Sequence, residues 1–223
     1  MRDKRFSRAK GSILVVLLLL GCLLVSESYG WGFFAHKWIG RTAVDAVPAQ
    51  ARPFFQQHRE YLSEHAIDPD LWRKHDPDEG VRHYIDIDLY GPYPFDALPR
   101  DLAKARQKFG ADTVNERGIG PWWVVKTYND LVRLMRKRDV DSTLVKAAAL
   151  CHYVSDLCVP LHTTENYDGQ LTGNKGIHRR FEATMIEMYA DSLKLTVRPA
   201  QRIKDPLAFI FDLVLRSYSL HQK

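Results

Sequence analysis

Apolar residues recur at intervals of three and four along most of the chain, the spacing that gives an α-helix one face for a core. "HKWIGRTAVDAV" (36–47) shows it first, and "PAQARPFFQQHREYL" (48–62) restarts it after Val47. "DALPRDLAKARQKFG" (96–110) ends on a glycine, as helices tend to, and "PWWVVKTYNDLVRLMRKRD" (121–139) opens with a proline suited to a first turn. "DSTLVKAAALCHYVSDLC" (141–158) begins with a capping cluster and stops before Pro160. "HRRFEATMIEMYADSLKL" (178–195) and "PLAFIFDLVLRSYSL" (206–220) complete the series. Only "RHYIDIDLY" (82–90) alternates like a strand, and a lone strand has no partner here. The pattern predicts an all-α fold, a single-domain multi-helix bundle with long polar loops at 66–82 and 163–177. Residues 206–220 want a packing partner, which a continuation past residue 223 would supply, so the domain is read as potentially incomplete at its C-terminus.

The amino terminus changes which residues belong to that domain. Arg2, Lys4, Arg5, Arg8 and Lys10 precede the run "ILVVLLLLGCLLV" (13–25), and small residues follow at Ser28 and Gly30. This is the layout of a secretory signal peptide, and thirteen residues are too few to span a bilayer of about 30 Å. Residues 1–30 are therefore expected to be removed before Trp31, leaving a domain 31–223 with no transmembrane span, secreted or periplasmic. "LLGC" (19–22) also resembles a lipoprotein signal with Cys22 as the lipidated residue, but Leu20 and the continuing apolar run speak against it.

Removing residues 1–30 takes five bases and two acids from a total of 32 Lys+Arg and 27 Asp+Glu, which lowers the net charge from +5 to +2. No global basic field then advertises nucleic-acid binding, and any attraction for phosphate must be local. Cys151 and Cys158 remain, seven residues apart on one predicted helix and beyond disulfide reach, and are expected to be buried thiols.

Candidate chemistry lies in the histidines. His152 and Asp156 are spaced i, i+4 and share a helical face; His162 follows beyond the helix break. His178 and Glu182 repeat the spacing, "RHYID" offers His83 and Asp86, and "HAIDPD" offers His65, Asp68 and Asp70. Nitrogen and carboxylate donors without cysteine suit zinc at hydrolytic sites. Asp86 and Asp88 are candidates to orient a ligand histidine. Trp122 and Trp123 are expected in the core rather than as a platform for bases. His58 and His221 look exposed, and Lys126, Arg179 and Arg180 are ordinary surface bases.

The ordered set Trp31, His36, Asp68, His83, His152-x3-Asp156-x5-His162 and His178-x3-Glu182 resembles the zinc-dependent phospholipase C and single-strand-specific nuclease superfamily. "HYVSDLCVPLH" follows that superfamily's H-Y-x-x-D-x-x-x-P-x-H pattern, and the resemblance runs from residue 31 to about 182. It implies a secreted, all-helical domain that binds three zinc ions in a cleft. It further implies His83, His152 and Asp156 at one ion with Asp68 on or beside it, and His162, His178 and Glu182 at a second. The Trp31 terminus, His36 and Asp156 would hold the third, so that Asp156 bridges two ions. Asp68 is preferred to Asp70 by its distance to His83, and is the expected catalytic residue, orienting a zinc-bound hydroxide or taking its proton.

The substrate implied is a phosphoester, with no stable protein partner. The step from Trp31 to His36 and "HKWIG" look like the nuclease branch, whereas Glu182 looks like the phospholipase branch, since the nuclease pattern has aspartate there. The expectation leans to cleavage of single-stranded nucleic acid, with phospholipase C-type hydrolysis of phospholipid head groups as the alternative. A non-enzymatic secreted zinc-binding protein is the rival of another class. The three-ligand groups argue against it, because structural zinc usually has four protein ligands.

Overall fold

The computed structural model describes residues 32–193 and 196–221. The signal segment, the lipoprotein cysteine and Trp31 lie outside them. The helices in chain order are α1 (Phe33–Ala46), α2 (Arg52–Gln57), α3 (Arg59–His65), α4 (Asp68–Trp72), α5 (Leu102–Phe109), α6 (Ala111–Glu116), α7 (Gly120–Lys137) and α8 (Val140–Leu157). After a 3-10 turn at Pro160–Thr163 come α9 (Ile177–Arg179), a π-helical segment (Arg180–Met185), α10 (Ile186–Tyr189) and α11 (Pro206–His221). The described residues contain no strand, so the fold is all-α. None of their helices is long and apolar enough to cross a membrane.

Helix α8 is the axis of the molecule. Its cap is Asp139, two residues before the predicted cluster, whose carboxylate accepts the Ser142 N–H at 3.2 Å. Leu144, Ala147 and Ala148 face a cluster with Val44, Phe55 and Leu62 from α1, α2 and α3. Ala149, Tyr153 and Leu157 face a larger one with Ile85, Ile87, Trp122, Ile210, Phe211 and Val214. Toward its C-terminal half the helix has apolar neighbours on both sides, and His152 and Asp156 are wholly buried between the two clusters.

The structure departs from the sequence-based expectations at several points. Residues 82–90 form two 3-10 turns, Gly80–Arg82 and Ile87–Tyr90, in place of a strand. Ile85 and Ile87 are both buried, and their segment makes single backbone bonds to distant loops, Ile85 N–H to His162 O at 3.0 Å and Asp86 N–H to Arg117 O at 2.8 Å. The alternation therefore reflects burial without a ladder. Helix α11 finds its partners inside the chain, burying Ile210, Phe211, Val214 and Tyr218 against α7, α8 and the 160–163 turn. Cys158, just past the end of α8, is exposed; it and Cys151 are free thiols. The polar stretch 66–82 also contains α4.

Trp122 is a core residue whose indole N–H donates to Arg100 O at 2.6 Å. Trp123 is partly buried, with the Arg82 guanidinium 4.0 Å over its ring.

Candidate metal centre

His152 and Asp156 project from one face of α8, and Asp156 stands at the middle of the centre. Its Oδ2 is 2.9 Å from His83 Nδ1 and 3.2 Å from His152 Nε2, while Oδ1 is 3.4 Å from His36 Nε2. The rings of His36 and His152 stack with centroids 3.8 Å apart. Asp70, from α4, points its Oδ1 to within 3.8 Å of His152 Nε2 and 3.9 Å of His83 Nδ1. Pro160 ends the α8 direction and turns His162 toward a separate group. There His162 Nε2 lies 3.1 Å from His178 Nε2, and the two Glu182 oxygens lie 3.2 Å from His162 Nε2 and 2.8 Å from His178 Nε2.

Each of these imidazoles but His178 has its second nitrogen turned away from the centre toward another group. His152 Nδ1–H donates to Ala66 O at 2.7 Å, His162 Nδ1–H to His83 O at 2.9 Å, and His36 Nδ1–H to Ser155 Oγ at 3.2 Å. A ring that donates from Nδ1 presents a bare lone pair at Nε2. His83 is turned the other way, with Nδ1 inward and Nε2 facing the buried Glu79, 3.4 Å from its Oε1.

These inward atoms have no hydrogen-bond partner that would account for them. His36 Nε2, both Asp70 oxygens, Asp156 Oδ1 and both Glu182 oxygens are buried without one. Ring nitrogens 3.0 Å apart at His83 and His152, and 3.1 Å at His162 and His178, place lone pair against lone pair. Buried charge and opposed lone pairs cost several kcal/mol unless a cation lies among them. Three sets of donors fit that requirement, each with its atoms within 4.8 Å of one another: His36–Asp70–His152, His83–His152–Asp156 and His162–His178–Glu182. An all N/O donor set of this size suits zinc.

The protein's own field reflects the crowding. Burial, reinforced by His152, holds the His36 imidazole well below its ordinary pKa, and burial raises the Asp70 carboxyl. Burial also opposes ionisation of Asp156, yet His152 and His162 hold it well below the usual carboxylate range. His162, despite burial, is raised to about 9 by Glu182 and Asp156.

Of the residues expected from the sequence, His36, His83, His152, Asp156, His162, His178 and Glu182 are brought together. Asp68 lies apart from them: it belongs to none of the three sets, its side chain is 25 % exposed, and it pairs with His65 Nδ1 at 2.8 Å. Its rival Asp70, fully buried, takes the inward position. Asp88 orients no histidine, since it accepts Thr164 Oγ–H at 2.6 Å and Glu165 N–H at 3.0 Å. Asp86 lines the cavity with His162, where burial, with Asp88 and Glu165, raises its carboxyl to about 7 against the opposing pull of His162.

Sequence reasoning missed Glu79 and the cavity wall. A cavity of about 600 Å³ opens onto His83, His162 and His178 and is walled by Arg73, Lys74, Tyr84, Asp86 and Tyr167. The first helix is tied to the second group through the Gly32 N–H, which donates to Glu182 O at 3.2 Å. Glu182 itself sits in the π-helical segment, a widened turn found at functional sites.

No curated protein matches the sequence significantly. A profile of the zinc-dependent phospholipase C family matches residues 35–218, a span that takes in every donor of the three sets. The single-strand-specific nucleases of the S1/P1 type share this all-α fold family. The chain belongs to the zinc-dependent phospholipase C family, zinc hydrolases that act on phosphoester bonds.

Proposed function

We propose that the chain is a secreted phospholipase C-type phosphodiesterase that releases the phosphorylated head group of a phospholipid. The observation that carries this reading is Glu182. It closes the His162–His178 group with both oxygens, at the position where the phospholipase branch differs from the nuclease branch. The family match agrees with it, whereas the sequence alone leaned toward nucleic acid.

In this reading the donors of the three sets would hold zinc; His152, with one free lone pair, would serve a single ion, and Asp156 would be the ligand shared between His36 and the His83–His152 pair. Zinc supplies Lewis acidity toward phosphoryl oxygens and brings water's pKa down toward about 7. Asp70, with two unpartnered buried oxygens beside His83 and His152, takes the role expected of Asp68, ligating or accepting water's proton. Water's oxygen would bond to phosphorus as the bond to the glycerol oxygen breaks, and that oxygen would take up the proton that Asp70 received from the water. Arg73 and Lys74 on the cavity wall provide the local attraction for phosphate that the small net charge does not.

Vesicles of phosphatidylcholine and single-stranded DNA, assayed in parallel with zinc, test the substrate. Head-group release at least about tenfold faster than DNA cleavage is expected; the opposite preference overturns it. Nucleic acid is the second reading because Tyr84 and Tyr167, lining the cavity, offer rings on which bases stack.

Secretion is tested separately. The exported protein is expected to begin Trp-Gly-Phe by terminal sequencing, and a lipidated Cys22 would refute cleavage before Trp31.

A further inference from the structure

Among the histidines facing the centre, His83 is the one whose outer nitrogen meets a carboxylate instead of a carbonyl or hydroxyl. Glu79 lies one helical turn before it and is 1 % exposed. Tyr153 Oη–H donates to its Oε1 and Arg82 Nη1–H to its Oε2. Arg82 is fixed in turn by Asp76, at 2.7 Å, and by the Trp123 ring beneath it. The carboxylate is thus held at one oxygen by Tyr153 and at the other by Arg82, and Oε1 also faces His83 Nε2. That nitrogen is buried with no hydrogen-bond partner, and Glu79 Oε1, at 3.4 Å, is the acid in reach.

We propose that Glu79 is a positioning residue of the metal centre. It accepts the Nε2–H of His83, fixes the tautomer with a free Nδ1, and thereby aims that nitrogen at Asp156 and the metal. A carboxylate in this place also raises the basicity of the ring, which a backbone carbonyl does more weakly. The arrangement explains a buried acid that no packing argument requires, and a Tyr153 hydroxyl directed at it from α8, one residue after the ligand His152. A second cavity of about 320 Å³, walled in part by His75, Lys146 and Trp123, reaches Glu79 and shares no lining residue with the cavity at His83.

The proposal rests on His83 as a metal ligand, and the experiment separates the two. Zinc affinity of the full mature chain is measured by chelator competition for wild type, His83→Ala, Glu79→Gln and Tyr153→Phe. Glu79→Gln is expected to bind the most weakly held zinc about 10- to 100-fold less tightly. Tyr153→Phe, which keeps the carboxylate and removes only the Tyr153 hydrogen bond to Oε1, is expected to stay within about threefold. Equal losses in these two variants would make the effect one of packing, and unchanged affinity in Glu79→Gln would likewise overturn the proposal. If His83→Ala holds zinc as wild type does, the ligand assignment itself fails and the proposal with it. The second readout needs no variant: the ¹⁵N shifts of His83 in the zinc-loaded protein are expected to show a protonated Nε2, and a protonated Nδ1 overturns the proposal.

Discussion

Asp156→Asn is expected to strip zinc from two groups at once and to lower phosphodiester turnover by at least about a hundredfold, the upper end of what loss of a supporting partner alone costs. The side chain keeps its shape but loses its charge. Asp156 faces three imidazoles, Oδ2 toward His83 and His152 and Oδ1 toward His36, and both oxygens are buried. An amide cannot present two acceptor oxygens, so at least one of these directions is left facing N–H protons. Glu182→Gln, by contrast, touches only the His162–His178 group. Elemental analysis of the purified variants should therefore show a larger zinc deficit for Asp156→Asn, with kcat/KM falling in the same order. Equal deficits would mean that Asp156 serves one ion.

The second large effect is expected at a residue that carries no donor atom. Gly118 has φ +86°, and a Cβ there would lie 2.3 Å from Tyr84 O and 2.6 Å from Tyr84 Cδ2. The same carbonyl accepts the Gly120 N–H at 3.0 Å, so the residue after His83 is clamped by the 118–120 turn. Gly118→Ala combines left-handed strain of about 1–2 kcal/mol with a collision against backbone that cannot rotate away. A total near 4 kcal/mol lowers the melting temperature by roughly 10 °C for a domain of this size. Gly173→Ala is the control: its φ is +75°, but nothing lies within 4 Å of the added carbon. Thermal melts should show a drop of only about 2–6 °C for Gly173→Ala, the strain alone. Similar drops in both would show that the close approach to Tyr84 is not what matters at Gly118.

The ligand pattern was legible because its spacings are helical. His152 with Asp156 and His178 with Glu182 each lie one turn apart, so a shared face follows from the sequence alone. The choice between Asp68 and Asp70 was not legible. Both lie in the five-residue helix α4, too short for a period to distinguish in from out, and a local pairing with His65 claims Asp68. Glu79 was hidden for another reason. "DPDEG" reads as a solvated loop, and the groups that bury and bind its acid, Tyr153 and Arg82 backed by Trp123, come together only in the folded chain. Residues 82–90 misled because Ile85 and Ile87 alternate in a segment whose bonds run to residues 117 and 162, contacts that no local window contains.

His83 is held in two ways that belong to different groups. Its ring faces Asp156, while its backbone carbonyl accepts the Nδ1–H of His162 at 2.9 Å and so aims the other group's imidazole. A displacement of this one residue moves a donor in both, and the gap between the groups behaves as a single mechanical coordinate. Substitutions that perturb either group are then coupled through a shared backbone atom, so they should not add as independent sites do. The two halves of the centre would change together in evolution, and the spacing between them, once set, is difficult to retune from one side.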